Sequence, residues 1–192
     1  MRERNMADPS HLRRGSHMKI PVFVSCPTDL SAGQDSARRL IIRELDRLEM
    51  EPRGLGRTDY PVDLPLREVL AIAKHCSGGV ILGFQQFVAD SGTLKPGTSE
   101  ERRISKSLAF PTPWNQLEAG ILFTLGIPLL VFRDESISGG VFDPGVTDVF
   151  IHRMPAGALP QKSRNALRQV FLKWQGKVRT HYYGEQLRHT GQ

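Results

Sequence analysis

The sequence predicts a three-layer α/β sandwich around a central, mostly parallel five-stranded sheet. Three observations carry that expectation. From Met18 onward, short apolar runs alternate with amphipathic ones in the order β-α-β-α-β-α-β-β-α, and such alternation builds a parallel sheet with helices on both faces. The runs 79-GVILGF-84 and 127-IPLLVFR-133 are apolar without a period of two, as expected of strands buried on both sides. The composition, 39% hydrophobic and 24% charged, is that of an ordinary globular domain.

The first strand is expected at 19-KIPVFVS-25, ended by Cys26-Pro27. After the polar TDLSAGQ loop, 35-DSARRLIIRELDRLEM-50 places Ala37, Leu40, Ile41, Leu45 and Leu48 at helical spacing, and Pro52 is expected to stop the helix. A weak second strand is assigned to 53-RGLGR-57, whose glycines disfavour it. The Pro-rich stretch 58-TDYPVDLP-65 leads to a helix over about 65–76, and a buried strand follows at 79–84. Residues 85–111 are rich in Ser, Gly, Pro and charge and are assigned to a long loop, a length that usually marks a functional segment. A helix, a strand at 127–133, a short strand at 148-DVFIHRM-154 and a helix near 161–181 complete the pattern. That last helix has Leu167, Val170, Phe171, Trp174 and Val178 on one face.

Residues 1–17 have no apolar periodicity, and the GSHM at 15–18 looks like the scar of a cleavable purification tag. The expected organisation is therefore a tag at 1–17, one domain over 18–183 and a polar tail at 184–192. The formal net charge of +6 includes +2 from residues 1–17, where Arg2, Arg4, Arg13 and Arg14 face Glu3 and Asp8. The mild remainder and the absence of a Lys/Arg run argue against a nucleic-acid partner. Cys26 and Cys76 are too few for a disulfide framework and fit a reducing cytoplasm. No apolar run approaches the roughly 18 residues of a membrane span, so no membrane partner is expected.

The most informative stretch is 111-PTPWNQLEAGILFTLGIP-128. Thr112 suits an N-cap, Pro113 the first helical position, and Gly126 with Pro128 the stop. Trp114, Leu117, Ile121, Leu122 and Leu125 recur at helical spacing, and Glu118 falls among them. A carboxylate in an apolar stripe is costly unless something compensates it. In open parallel sheets, ligands bind beyond the carboxyl ends of the strands. Here those ends are Ser25-Cys26-Pro27, Arg57-Thr58-Asp59, Gly83-Phe84-Gln85 and Arg133-Asp134. The Glu118 helix should start at the same rim, which makes Glu118 the candidate catalytic residue.

Trp114-x-x-x-Glu118, opening a helix after a short apolar strand and a long loop, resembles the TIR domain family. The resemblance covers residues 18–178, with the loop before the 65–76 helix in the place of the BB loop. It implies a flavodoxin-like fold in which Glu118 cleaves the bond between nicotinamide and ribose in NAD, with NAD as substrate and no further cofactor. It also implies a cytoplasmic homo-oligomer acting on a nucleotide small molecule. The same layout resembles the nucleoside 2-deoxyribosyltransferases, in which a glutamate on the corresponding helix attacks or stabilises the sugar. Those enzymes usually carry an acid just before this helix, where this chain has FPTPW, and that departure favours the NAD-cleaving reading. A non-catalytic nucleotide-sensing or assembly module is the third reading. The expected binding residues are Trp114 and Asn115 on the helix, Ser25, Cys26, Pro27 and Asp29 after the first strand, Arg57, Asp59 and Tyr60 after the second, and Phe84 after the third. Within that set, Arg57 could hold a phosphate and Phe84 could stack on a base, with a solvated arginine and a core phenylalanine as their plainer readings. Cys26 reads as a structural thiol, and His75, beside Cys76, as a helix C-terminal partner rather than half of a metal site.

Overall fold

The computed structural model describes residues 18–190, except for Arg57, Tyr60, Pro61, Gly157 and the side chains of His189 and Thr190. The expected tag at 1–17 and the expected site residues Arg57 and Tyr60 lie outside the described residues. In chain order the elements are β1 (Ile20–Ser25), α1 (Ala32–Arg47), β2 (Met50–Arg53), α2 (Pro65–Lys74) and β3 (Gly78–Gly83). Four short strands follow, β4 (Phe87–Ala89), β5 (Thr93–Leu94), β6 (Arg102–Arg103) and β7 (Leu108–Phe110). The chain then forms α3 (Pro113–Thr124), β8 (Leu129–Arg133), β9 (Ile151–Arg153) and α4 (Gln161–Thr190).

The central sheet has the order β2-β1-β3-β8-β9, and every pairing in it is parallel. This is a flavodoxin-like three-layer sandwich. The period of two along the strands separates its two cores. Val22, Val80, Leu82 and Phe132 face α1 and α4 and pack on Ile41, Leu45, Phe171 and Trp174. Phe23, Ile81 and Val131 face α2 and α3 and pack on Val69, Ala73, Ala119 and Leu122. The Trp174 indole N–H donates to the Pro128 carbonyl at 2.9 Å, which pins α4 against the sheet.

Several boundaries differ from expectation, each for a local reason. Helix α1 begins at Ala32 rather than 35 because Ser31 and Gln34 form a reciprocal capping box, with bonds of 3.3 and 3.0 Å. It ends at Arg47, and Glu49, at φ +57°, turns the chain directly into β2. The second strand therefore lies at Met50–Arg53 and contains Pro52, in place of the expected 53–57. β2 is an edge strand, where a missing backbone donor is tolerated. The expected loop at 85–111 carries two antiparallel ladders, β4–β7 and β5–β6, too short for any periodicity to register. Helix α4 continues through the expected polar tail to Thr190; no proline follows Pro160, and Arg188 and Glu185 form an i,i+3 pair at 2.9 Å. Among the described residues, no helix is long and apolar enough to cross a membrane.

The three glycines of β3 let helices and side chains approach the centre of the sheet. A Cβ on Gly83 would overlap the ring of Phe142, which is fully buried and has no free direction to move. Gly83→Ala should therefore lower the free energy of unfolding by about 1–3 kcal/mol, the usual cost of overpacking. A urea titration with an unchanged midpoint would contradict that packing.

Candidate active site

Strands β2 and β3 lie on opposite sides of β1, so strand order reverses there. The connections leaving the carboxyl ends of β1 and β3 diverge, and a crevice opens between them. A cleft of about 340 Å³ occupies this position. Cys26, Pro27 and Thr28 line it from the end of β1, Leu55 and Gly56 from the turn after β2, and Pro65 from the start of α2. Thr112, Trp114, Asn115 and Glu118 come from the beginning of α3.

The first turn of α3 is anchored at three points. Thr112 caps it, its hydroxyl accepting the Asn115 N–H at 3.3 Å. The Asn115 side chain donates to Ser25 Oγ at 2.7 Å, joining the helix to the end of β1. Gln116 donates to the Gly139 carbonyl at 3.1 Å and accepts the Val141 N–H at 3.0 Å, holding the other flank. Its amide packs where Gly140, at φ +59°, has no side chain. This fixes the rotation of the helix. Asn115, Glu118, Ala119 and Leu122 face inward, whereas Trp114 and Leu117 are about half exposed. The stripe expected from the apolar spacing is thus turned, and the inward face begins with two polar residues.

Glu118 is 9% exposed. Among the described residues it forms no salt bridge, and no other acid and no base lines the cleft. Burial lifts its carboxyl from the ordinary 4.5 to about 7, while a hydrogen bond from Ser25 pulls in the opposite direction. Near neutral pH, the acid and the carboxylate are both well populated.

The other expected site residues divide into three groups. Cys26, Pro27, Trp114 and Asn115 line the cleft, and Ser25 stands behind Asn115, 1% exposed. Asp29 is exposed and is not part of the lining. Phe84 and Asp59 are elsewhere. Phe84 follows Val80 and Leu82 in the period of two, so it is fully buried among the residues facing α1 and α4. It cannot stack on a base in this cleft. Asp59 accepts a forked pair of bonds from Arg53, together with the Thr58 hydroxyl at 2.7 Å and the Gly54 N–H at 3.2 Å. It builds the turn that carries Leu55 and Gly56 to the cleft, and Arg53 holds its carboxyl below the usual range. Cys26 Sγ lies 3.5 Å from the Pro27 carbonyl, and among the described residues no histidine lines the cleft.

His75 and Cys76 precede β3 and so lie at the amino end of the sheet, beside a separate cleft of about 320 Å³. The His75 Nδ1 is 2.8 Å from the Ala71 carbonyl, as suits a residue closing a helix. Among the described residues, no group of three His, Cys, Asp or Glu side chains could hold a metal ion. Leu55, Gly56 and Pro65 line the cleft without having been singled out from sequence, whereas Thr28 belongs to the 26–29 loop expected there. Leu55 and Gly56 carry no chemical signature, and only the fold of the 54–59 turn brings them there.

No family model, no curated protein and no solved structure matches the chain.

The raised Glu118 pKa has a consequence for stability. Below about pH 4.5 the carboxyl is protonated in both the folded and unfolded chain, and its burial carries no ionisation penalty. As pH rises from 4.5 toward 7, the unfolded chain ionises first, so folding weakens. Above about 7 the loss levels off near 3 kcal/mol. Glu118→Gln should therefore stabilise the protein at pH 8 by up to about 3 kcal/mol, with the gain vanishing near pH 4. Thermal or urea unfolding across that range checks this. An equal difference between the two proteins at both ends would rule out the ionisation penalty.

Proposed function

We propose that this protein is an N-glycosidase acting on a nucleotide, with Glu118 as the catalytic carboxylate and NAD as the preferred substrate, cleaved to nicotinamide and an ADP-ribose product. The observation that carries the reading is a lone buried carboxylate without a salt-bridge partner among the described residues, in a largely apolar cleft at the strand-order reversal. The Trp114-x-x-x-Glu118 spacing and its place in the element order, which resemble the TIR family, support it further. Breaking an N-glycosidic bond builds positive charge on the ribose. A carboxylate beside C1′ can stabilise that charge or attack the carbon. The apolar walls strengthen such an interaction by excluding water.

The choice of NAD follows from the leaving group. In NAD the nicotinamide nitrogen is already cationic, so the C1′–N bond breaks with its electron pair going to a neutral nicotinamide. No general acid is needed, and a single carboxylate suffices. Water then adds to C1′ and gives up a proton. A neutral nucleoside base, by contrast, is a poor leaving group until it is protonated. The half-exposed Trp114 at the rim offers an aromatic wall to the departing ring.

The deoxyribosyltransferase-like alternative draws on the protonated fraction of Glu118 near neutral pH, because that fraction could donate to a base. The two readings differ in sign. If the carboxylate is the working form, kcat/KM for NAD should rise about tenfold per pH unit below 7 and level off above it. If the acid is the working form, base release from nucleosides should fall above pH 7. Purified protein is expected to release nicotinamide from NAD, and Glu118→Gln should lower kcat by a factor on the order of a hundred or more. Nucleoside cleavage with NAD untouched would transfer the assignment to the alternative. Full activity of Glu118→Gln would remove the mechanism.

A further inference from the structure

The sheet is covered unevenly at its β9 edge. The connection from β8 to β9 contains one short 3-10 turn, at Gly140–Phe142, and no long helix. On the face shared with α1 and α4, cover therefore ends at α4, whose Phe171 stacks on Phe132. The β8–β9 register pairs His152 with Phe132. Paired neighbours in a sheet point to the same side, so His152 and, two residues earlier, Phe150 turn to the α4 face beyond the edge of that helix. The His152 ring rests against Phe132 at a centroid distance of 5.6 Å, whereas Phe150 is 86% exposed. Between Phe150 and α4 lies a cleft of about 340 Å³ at the start of β8. It shares no lining residue with the Glu118 cleft at the carboxyl ends of the strands. Leu129, Leu130, Val170 and Trp174 give it an apolar floor. The Trp174 N–H is already used by the Pro128 carbonyl, so the indole offers only its ring.

Lys173 and Lys177, one turn apart on α4, line the same cleft and are exposed. Arg168 and Arg188 of that helix are paired, with Glu44 and Glu185. Lys173 and Lys177 form no ion pair among the described residues. We propose that this cleft is a second binding site, for an apolar monocarboxylate whose chain lies between Phe150 and Trp174 and whose carboxylate meets Lys173 and Lys177. The volume is that of a small-molecule site, and an apolar lining with a few polar groups is the usual composition of one. The methylene stems of the lysines continue the apolar wall while their ammonium groups stay in water. Two ammonium groups sharing one negative charge suit a carboxylate. Among the described residues the lining holds no arginine fork and no helix N-terminus, the features that gather a phosphate. Asp148 is the one acid in the lining and opposes an anion, so the carboxylate is drawn to the α4 wall. Burial keeps the His152 imidazole below its ordinary 6.5, so at neutral pH that ring adds apolar surface rather than a third cation.

The test is an NMR titration of ¹⁵N-labelled protein with sodium octanoate, in low salt near neutral pH. Saturable amide shifts are expected in residues 129–130, 148–152 and 170–177. 1-Octanol, the same chain without the charge, should bind about tenfold more weakly. Octanoate should weaken by about the same factor on the Lys173→Gln/Lys177→Gln double variant. Asp148→Asn removes the opposing charge and should tighten octanoate about twofold. All three side chains are exposed, and the amide spectrum of each variant establishes that it is folded. Equal binding of octanol and octanoate overturns the proposal, as does a double variant that binds octanoate undiminished. Absence of saturable shifts, or shifts confined to the Glu118 cleft, overturns it as well. Octyl phosphate bound about tenfold more tightly than octanoate would overturn the carboxylate assignment. The measurement involves no turnover and no residue of the Glu118 cleft, so it stands or fails separately from the N-glycosidase reading.

Discussion

Because β2 and β3 flank β1 on opposite sides, the chain segments leaving the carboxyl ends of β1 and β3 turn away from each other. No helix can cover the gap between them lengthwise, since each helix must pack along the sheet on its own face. The gap is closed instead by the end of a helix, the first turn of α3, and a helix end brings unsatisfied backbone donors and a need for polar partners. Most of the polar features of this region follow from that. Thr112 satisfies the donor of Asn115, Asn115 reaches across to Ser25, and Gln116 reaches the turn at Gly139–Val141.

Anchoring at three points leaves α3 little freedom to rotate about its axis. With Asn115 fixed inward, the residue three positions on must also face inward, and that residue is Glu118. Its burial is therefore imposed by the docking of the helix rather than chosen by its own solvation, which opposes it. A group held against its preference by surrounding packing is the usual condition of a functional residue. The neighbouring turn shows the contrast. There Asp59 is met by Arg53, Thr58 and Gly54, and its charge is fully compensated. One carboxylate stabilises the wall of the cleft; the other is left chemically available inside it.

The architecture was legible in the sequence because it rests on patterns spanning many residues. The uninterrupted apolar runs of β3 and β8 and the amphipathic runs of α1 and α4 each repeat a signal several times. The candidate site was legible in part. Glu118, Trp114 and the end of β1 could be placed at one rim from element order alone. The orientation of α3 could not, because the spacing of its apolar residues suggests a face containing Trp114 and Leu117, whereas tertiary hydrogen bonds select the one containing Asn115 and Glu118. Phe84 shows a different limit. Its distance from the end of β3 suggested the rim, and only the parity set by Val80 and Leu82 shows that it points to the opposite core. The 85–111 segment was assigned to a loop because ladders of two or three residues leave no repeat to detect.

By itself, the sequence determined the succession of the central strands and their helices, the parallel sheet and the presence of one costly carboxylate near the start of a capped helix. These depend on local propensity and on periodicity, both of which are written along the chain. Only the tertiary structure decided which way that helix is turned, that Asp59 is neutralised while Glu118 is not, and that Ser25 and Asn115, 90 positions apart, share a hydrogen bond. Those outcomes depend on which groups meet across the fold, and the energy of a buried charge is set by its surroundings rather than by its place in the chain.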